Sequence, residues 1–224
     1  MTSSVELHTV ELAALRPLAK LESLPLDEQA RAKRFVTQES RDRFITMRHT
    51  LRSLLSQKLG RDISGVSFHY NDHGKPYLPR CPWHFNLSHA ESFGLIALTR
   101  DGAVGVDLEA IHPLPELHAL AKRHFSISEQ TTLAALSAGA ETQRFYQIWT
   151  RKEALVKGLG LSFARVSHQL NVWDNAESFT PQIPKPYKRD EDAWFIQDIT
   201  RMNGFSAALA SATRPQSLEW HDVA

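Results

Sequence analysis

The sequence predicts an α+β fold made of two similar halves, each a long helix packed on a small, mostly antiparallel sheet, with a ligand cleft between them. Three observations carry that prediction. Two segments of clear helical periodicity, one in each half of the chain, end at a glycine in the same relative position. Each is followed by short runs of β-like alternation. No low-complexity tract or long polar linker separates the halves.

The first helix is predicted from Ser40 to Gly60, where Phe44, Met47, Leu51, Leu54 and Leu55 form an apolar stripe. The second runs from Glu141 to about Gly160 and carries Phe145, Ile148, Trp149, Leu155, Val156 and Leu159. Arg43-Phe44 and Arg144-Phe145 open the two segments, and Leu54-Leu55 corresponds to Leu155-Val156. Strand-like runs in the first half are Val66–Tyr70, His84–His89 and Phe93–Thr99. In the second they are His168–Trp173, Ala193–Ile199 and Phe205–Ser211, the last two joined through Asn203-Gly204. The pattern reads as a duplication, divided into an N-terminal half over 1–103 and a C-terminal half over 104–224. Residues 180 to 192, rich in proline and charge, read as a surface loop.

With 224 residues and 42% hydrophobic content, the chain can bury a substantial core. Its 26 basic and 25 acidic residues exclude a global electrostatic pull toward nucleic acid or membrane, so any basic site is local. The single cysteine, Cys81, cannot form an internal disulfide. The N-terminal residues lack a basic segment followed by an apolar run. No stretch reaches the roughly 18 apolar residues of a membrane helix. The expectation is a soluble cytoplasmic protein.

Phe93 to Ile111 reads as a hairpin turning at Asp101-Gly102. Beyond the turn, Val104, Val106 and Leu108 take one face, while Gly105, Asp107 and Glu109 take the other. Both carboxylates can then reach one hard cation, and Gly105 leaves room beside them. A solvated acidic sheet edge is the alternative. On the second helix, Glu153 and Lys157 lie one turn apart at the margin of the apolar face, as a site pair or an ordinary ion pair. Lys152 falls among the apolar residues, where an ammonium requires an anion or a route to solvent.

Arg41, Arg48 and Arg52 line up beside the first helix's apolar stripe, with Arg31, Lys33 and Arg34 upstream. They read as a solvated face or as phosphate or RNA contacts. Lys75 sits between a turn glycine and Pro76, which restricts its backbone. Ser88 and His89 end a strand; adjacent strand residues point to opposite faces, which argues against a hydrolase dyad and leaves phosphate contacts.

Taken together, HGKPYL, FNLSH, GVDLE and WTRKEALVKGLGLSF resemble, in order and spacing, the 4′-phosphopantetheinyl transferase superfamily, in its longer, surfactin-synthetase-activating type. The resemblance covers about residues 25 to 165, with a looser fit through the final strands. It implies a pseudo-dimer of two α+β halves holding coenzyme A in the cleft. It also implies transfer of phosphopantetheine from coenzyme A to a serine of an apo acyl or peptidyl carrier protein. Asp107, Glu109 and Glu153 would surround Mg2+, Glu109 directly or through water, with Mn2+ a possible substitute. Lys75 and Pro76 would meet the adenine nucleotide, and Ser88 and His89 its phosphates. Lys157, with Lys152, would serve the pyrophosphate, and Arg31 and Arg43 would lie near the 3′-phosphate or its approach. Glu153 and Lys157 are the catalytic candidates. Glu28 departs from the pattern, standing where some members carry a basic residue. A carrier helix would dock near Arg123, His124 and Phe125. The expected protein is a monomer that binds neither nucleic acid nor membrane. The competing readings are a metal-dependent phosphohydrolase and an inert coenzyme A-binding module.

Overall fold

The computed structural model describes residues 3–174, 176, 178–187 and 193–223. In chain order its strands and helices are β1 (Ser4–Glu11), α1 (Leu12–Leu15), α2 (Leu26–Ala32), α3 (Gln38–Leu59), β2 (His69–Tyr70) and β3 (Pro76–Tyr77). These lead into β4 (His84–Ala90), β5 (Phe93–Thr99), β6 (Val104–Ala110), α4 (Leu117–His124), α5 (Ile127–Ala134) and α6 (Ala138–Leu159). Then follow α7 (Phe163–Val166), β7 (Ser178–Phe179), β8 (Phe195–Ile199), β9 (Phe205–Ser211) and β10 (Ser217–Val223).

The two long helices, α3 and α6, both run for 22 residues. Each stops at a left-handed glycine, Gly60 at φ 63° and Gly160 at φ 68°. The turn there returns backbone N–H groups to the orphan carbonyls of the last helical turn, from Gly60 and Arg61 in one case and Gly160 and Leu161 in the other. Thr37 caps the start of α3 by accepting from the Ser40 amide. Between α4 and α5, Ser126 is the cap, in a reciprocal capping box with Glu129.

Two four-stranded sheets, ordered β10-β1-β5-β4 and β6-β9-β8-β7, lie between these helices. Met47, Leu51 and Leu55 of α3 pack with Val10, Ile96 and Leu98 of the first sheet. Its opposite face, with Val5, Leu7, Leu95 and Ala97, meets Val104, Val106, Leu108 and Leu209 of the second sheet. The far side of the second sheet, with Ile196, Ala208 and Ala210, packs under Ile148, Ala154 and Leu155 of α6. The order is therefore helix, sheet, sheet, helix. Each fully buried Val or Leu contributes roughly 1.5–3 kcal/mol.

Several sequence expectations are corrected here. Phe93 to Ile111 is not a paired hairpin: β5 is flanked by β1 and β4, while β6 pairs with β9. Both edges of β5 are taken, so the chain after Gly102 passes into the second sheet, and the apolar faces of β5 and β6 stack instead of pairing. Of Val66–Tyr70 only the last two residues are strand, because Phe68 turns inward onto Phe85. His168–Trp173 forms no extended strand, only a single antiparallel bridge between Asn171 and Gln182. There the Leu170 carbonyl accepts from Lys152 and the Val172 amide donates to Glu129, so side chains take the backbone groups a ladder would use. The last strand, β10, joins the first sheet parallel to β1, which removes it from the C-terminal half assigned to 104–224. Of the expected loop over 180 to 192, residues 188–192 lie outside the described residues.

Gly105 has a different role from the one read in its sequence. A β-carbon there would sit 2.0 Å from the Ala154 carbonyl oxygen and 2.3 Å from the Gly158 amide. The space beside Asp107 is thus filled by the backbone of α6. That close approach delivers Glu153 and Lys157, the residues flanking Ala154 and Gly158, to the carboxylate face of β6.

Candidate active site

The site is built where β4, β6 and α6 meet. Asp107, only 2% exposed, points from β6 toward α6. Its Oδ1 accepts the Ser88 hydroxyl at 2.9 Å and the Lys157 ammonium at 2.5 Å, and Lys157 also donates to Ser88 Oγ at 3.0 Å. One β4 residue, one β6 residue and one α6 residue thereby close a three-membered charged network. The solvated-edge reading of the acidic strand is overturned by Asp107's burial.

Glu109 and Glu153 stand half-buried beside this network. Burial first, and repulsion from Asp107 second, push both carboxyls up to about 7, against the pull of Lys157. Burial works to lower Lys157, but Asp107, Glu153 and Glu109 together hold its pKa above the ordinary lysine value. Asp107 Oδ2 is buried and has no hydrogen-bond partner in the protein. A lone buried carboxylate oxygen, with two more carboxylates destabilised by like charge, suits a hard divalent cation. The three residues' oxygens do not all lie within 4.8 Å of one another; among the described residues only Glu6, His8 and His221 form such a group.

The phosphate candidates are distributed around this centre. His89 is exposed and points to the other side of β4 from Ser88. Its pKa is lowered by burial of the ring against its neighbours and then by the charges of Arg43 and Lys157, which favours neutral imidazole near pH 7. Arg43 is ion-paired with Glu39 one turn before it on α3. Arg31 stacks its guanidinium over Phe44 and Tyr70, with centroid distances of 5.6 and 5.7 Å. Lys75 sends its ammonium to the C-terminal end of α6, donating to Gly158 O at 2.7 Å and Val104 O at 3.0 Å; burial lowers its pKa to about 8. Any ligand contact there falls to its aliphatic stem and the Pro76 ring.

Three expectations are not met. Lys152 is fully buried, pairs with Glu129 at 2.8 Å and donates to the carbonyls of Ser167 and Leu170. The anion its sequence position required is a protein carboxylate, so Lys152 is unavailable to a phosphate. Of the three stripe arginines, Arg41 donates to the Phe35 carbonyl and Gln38, while Arg48 and Arg52 are buried around Glu28, with Arg52 Nε at 2.8 Å from Glu28 Oε2, and form an internal charge cluster. Glu28, the departure from the family pattern, is its counter-charge. Of the expected carrier patch, Phe125 is core and His124 is buried against Ser167, while Arg123 is exposed, with Ile127 the large exposed apolar residue nearby.

Sequence reasoning passed over Asn86, whose Oδ1 accepts the Val106 amide at 2.9 Å and ties the edge of the first sheet to the edge of the second. The signal was present: Asn86 and Ser88 share one face of a strand whose other residues include Phe85 and Leu87. It also passed over Asn71, which donates to the Gly160 carbonyl at 2.8 Å and pins the Lys75 loop to the end of α6.

Comparison with known proteins supplies the family. The 4′-phosphopantetheinyl transferase superfamily model matches residues 103–210, and that of the 4′-phosphopantetheinyl transferase N-terminal domain matches 16–100. The chain is 32% identical over 217 residues to the 4′-phosphopantetheinyl transferase HetI of Nostoc sp., covering 93% of this chain and 89% of that one. It is 28% identical over 191 residues to the 4′-phosphopantetheinyl transferase Sfp of Bacillus subtilis, covering 78% and 84%. Its 40% identity to slr0495 of Synechocystis sp. spans 141 residues, 61% of this chain and 57% of that one. The chain belongs to the 4′-phosphopantetheinyl transferase superfamily, in its longer, Sfp-like type.

Proposed function

We propose that this enzyme transfers the phosphopantetheine arm of coenzyme A to a serine of an apo acyl or peptidyl carrier protein, in a cleft between two duplicated halves. The observation that carries the site assignment is the buried, unpartnered Oδ2 of Asp107 beside Lys157, Glu109 and Glu153. Asp107, Glu109 and Glu153 would hold Mg2+, which supplies positive charge to the coenzyme A pyrophosphate when bound. Lys157 contributes a second, fixed positive charge to the same phosphates. Ser88 and neutral His89 offer hydrogen bonds to the nucleotide's phosphates, with Arg31 and Arg43 on the approach. Pro76 and the Lys75 stem would lie against the adenine.

In the reaction a bond forms between the carrier serine oxygen and the β-phosphorus while the phosphoanhydride bond breaks, releasing adenosine 3′,5′-bisphosphate. The serine proton goes to Glu153, directly or through water. A carboxylate positioned to take that proton as the oxygen–phosphorus bond forms acts as a general base. The leaving bisphosphate needs little acid assistance. Two 22-residue helices ending at left-handed glycines, each packed on its own four-stranded sheet, support the duplication. No helix among the described residues is long and apolar enough to cross a membrane. We propose a monomeric enzyme acting in the cytoplasm.

The test is incubation with coenzyme A, an apo carrier protein and Mg2+ or Mn2+, followed by intact-mass measurement. The carrier gains the mass of phosphopantetheine only when metal is present. Coenzyme A breakdown without a carrier would favour a phosphohydrolase, and binding without turnover would favour an inert module.

A further inference from the structure

A second cluster of potential metal ligands lies on the opposite face of the first sheet from Ser88. Glu6 and His8 are two apart on β1 and so share a face with Val10, which packs on the α3 side. Parallel pairing of β10 with β1 puts His221 directly beside His8. The His8 and His221 rings stack with centroids 4.7 Å apart and planes at 19°. His8 Nε2 lies 3.2 Å from Glu6 Oε2. One ligand atom from each of the three residues lies within 4.8 Å of the others. His8 is only 4% exposed, yet its Nδ1 has no partner. The ring makes one hydrogen bond, through Nε2 to Glu6, and so is less firmly held than a histidine bonded at both nitrogens.

We propose that Glu6, His8 and His221 bind a divalent transition-metal ion of borderline softness, such as Zn2+, independently of the catalytic carboxylates. Two imidazoles and one carboxylate form a ligand set that suits zinc and its neighbours rather than Mg2+, which prefers oxygen. His221 is exposed on an edge strand and can turn its ring to share an ion with the buried His8. Burial, with smaller contributions from His221 and Lys58 and against the pull of Glu6, lowers the pKa of His8 and keeps it in the neutral form a metal requires. The fixed competitor is Lys58, whose ammonium holds Glu6 Oε1 at 2.6 Å from the last turn of α3. Its side chain is partly exposed and free to leave when a dication arrives. A bound ion would cross-link the last strand of the first sheet to its neighbour β1.

The test uses untagged protein, so that no added histidines compete. ZnCl2 titration by calorimetry and CoCl2 titration by visible absorption compare the unsubstituted protein with His221→Ala, Lys58→Met and Asp107→Ala. We expect a cobalt spectrum with the stronger absorption of nitrogen-ligated, low-coordinate cobalt. In His221→Ala that spectrum is lost and zinc affinity falls at least about tenfold. Lys58→Met binds more tightly, and Asp107→Ala keeps the site. Zinc raises the melting temperature of the unsubstituted protein but not of His221→Ala, whose Mg2+-dependent transferase activity is unchanged. Equal zinc binding by the unsubstituted protein and His221→Ala would overturn the proposal. So would the absence of zinc uptake at micromolar concentrations, or its loss in Asp107→Ala alone.

Discussion

Asp107 joins three elements through one carboxylate, and its substitution tests the site most directly. Asp107→Ala removes the acceptor shared by Ser88 and Lys157 and the free oxygen offered to the cation. Transferase activity should fall by at least about a thousandfold, as expected when a preorganised charge at a phosphoryl centre is lost, while circular dichroism stays unchanged. Glu153→Gln retains size and removes the proposed base, so kcat should fall with little change in KM for coenzyme A. The pH behaviour follows from the two raised carboxyls. In metal-free protein Glu109 and Glu153 are lifted from 4.5 to about 7, so the folded chain holds protons that the unfolded chain releases over that interval. Their contribution to stability is present below about 4.5 and is lost as pH rises through 7. A divalent cation binds the deprotonated forms and reverses that trend. Calorimetry near neutral pH in buffers of different ionisation enthalpy should show proton release on Mg2+ binding, diminishing toward zero about two pH units higher. Of these residues, Asp107 with Glu109 on one strand face and Glu153 with Lys157 on one helix margin were legible from spacing as neighbours, while their joint role was legible only from the family resemblance. Lys152 was legible as needing an anion, but its partner Glu129 lies 23 positions away on α5, and no local periodicity reports such a pairing.

At the scale of elements, the position of α6 depends on Gly105. Gly105→Ala places a methyl group against the backbone of Ala154 and Gly158, which cannot yield as a side chain can. The helix must shift, taking Glu153 and Lys157 away from Asp107. We expect a loss of roughly 1–3 kcal/mol of stability, read by urea unfolding, together with a fall in activity larger than that destabilisation explains. Lys152→Met leaves the buried Glu129 carboxyl without its counter-charge and should cost about 3–5 kcal/mol. Its activity per folded molecule should remain near normal, which separates a structural lysine from a phosphate-binding one. Both long helices were legible to within a few residues because the apolar stripe and terminal glycine are local signals. The hairpin over Phe93 to Ile111 was misread for the converse reason. Alternation and an Asp-Gly turn specify two strands and a reversal, but whether the strands pair or stack is decided by β1, far away in sequence.

For the whole molecule, two helix-on-sheet units share a central apolar seam, and the ligand groups gather along one side of it. Val104, Val106 and Leu108 fill that seam from the strand that carries Asp107 and Glu109. Stability and the proposed metal site are thus coupled through one element. The polar bridges across the units, Asn86 to Val106, Lys75 to Gly158 and Asn71 to Gly160, set their alignment. The two-unit plan was legible from the repeated helix and glycine. The return of β10 was not, because a short amphipathic strand carries no mark of the sheet it joins. Sheet order has a consequence for biosynthesis. The edge of β1 that β10 covers becomes part of a ladder only after Ser217–Val223 have been made. At about 5–20 residues per second, roughly six to twenty-four seconds separate the completion of β5, the first partner of β1, from the start of β10. For that time the nascent first sheet presents an open edge, a template for mispairing that the completed enzyme no longer shows.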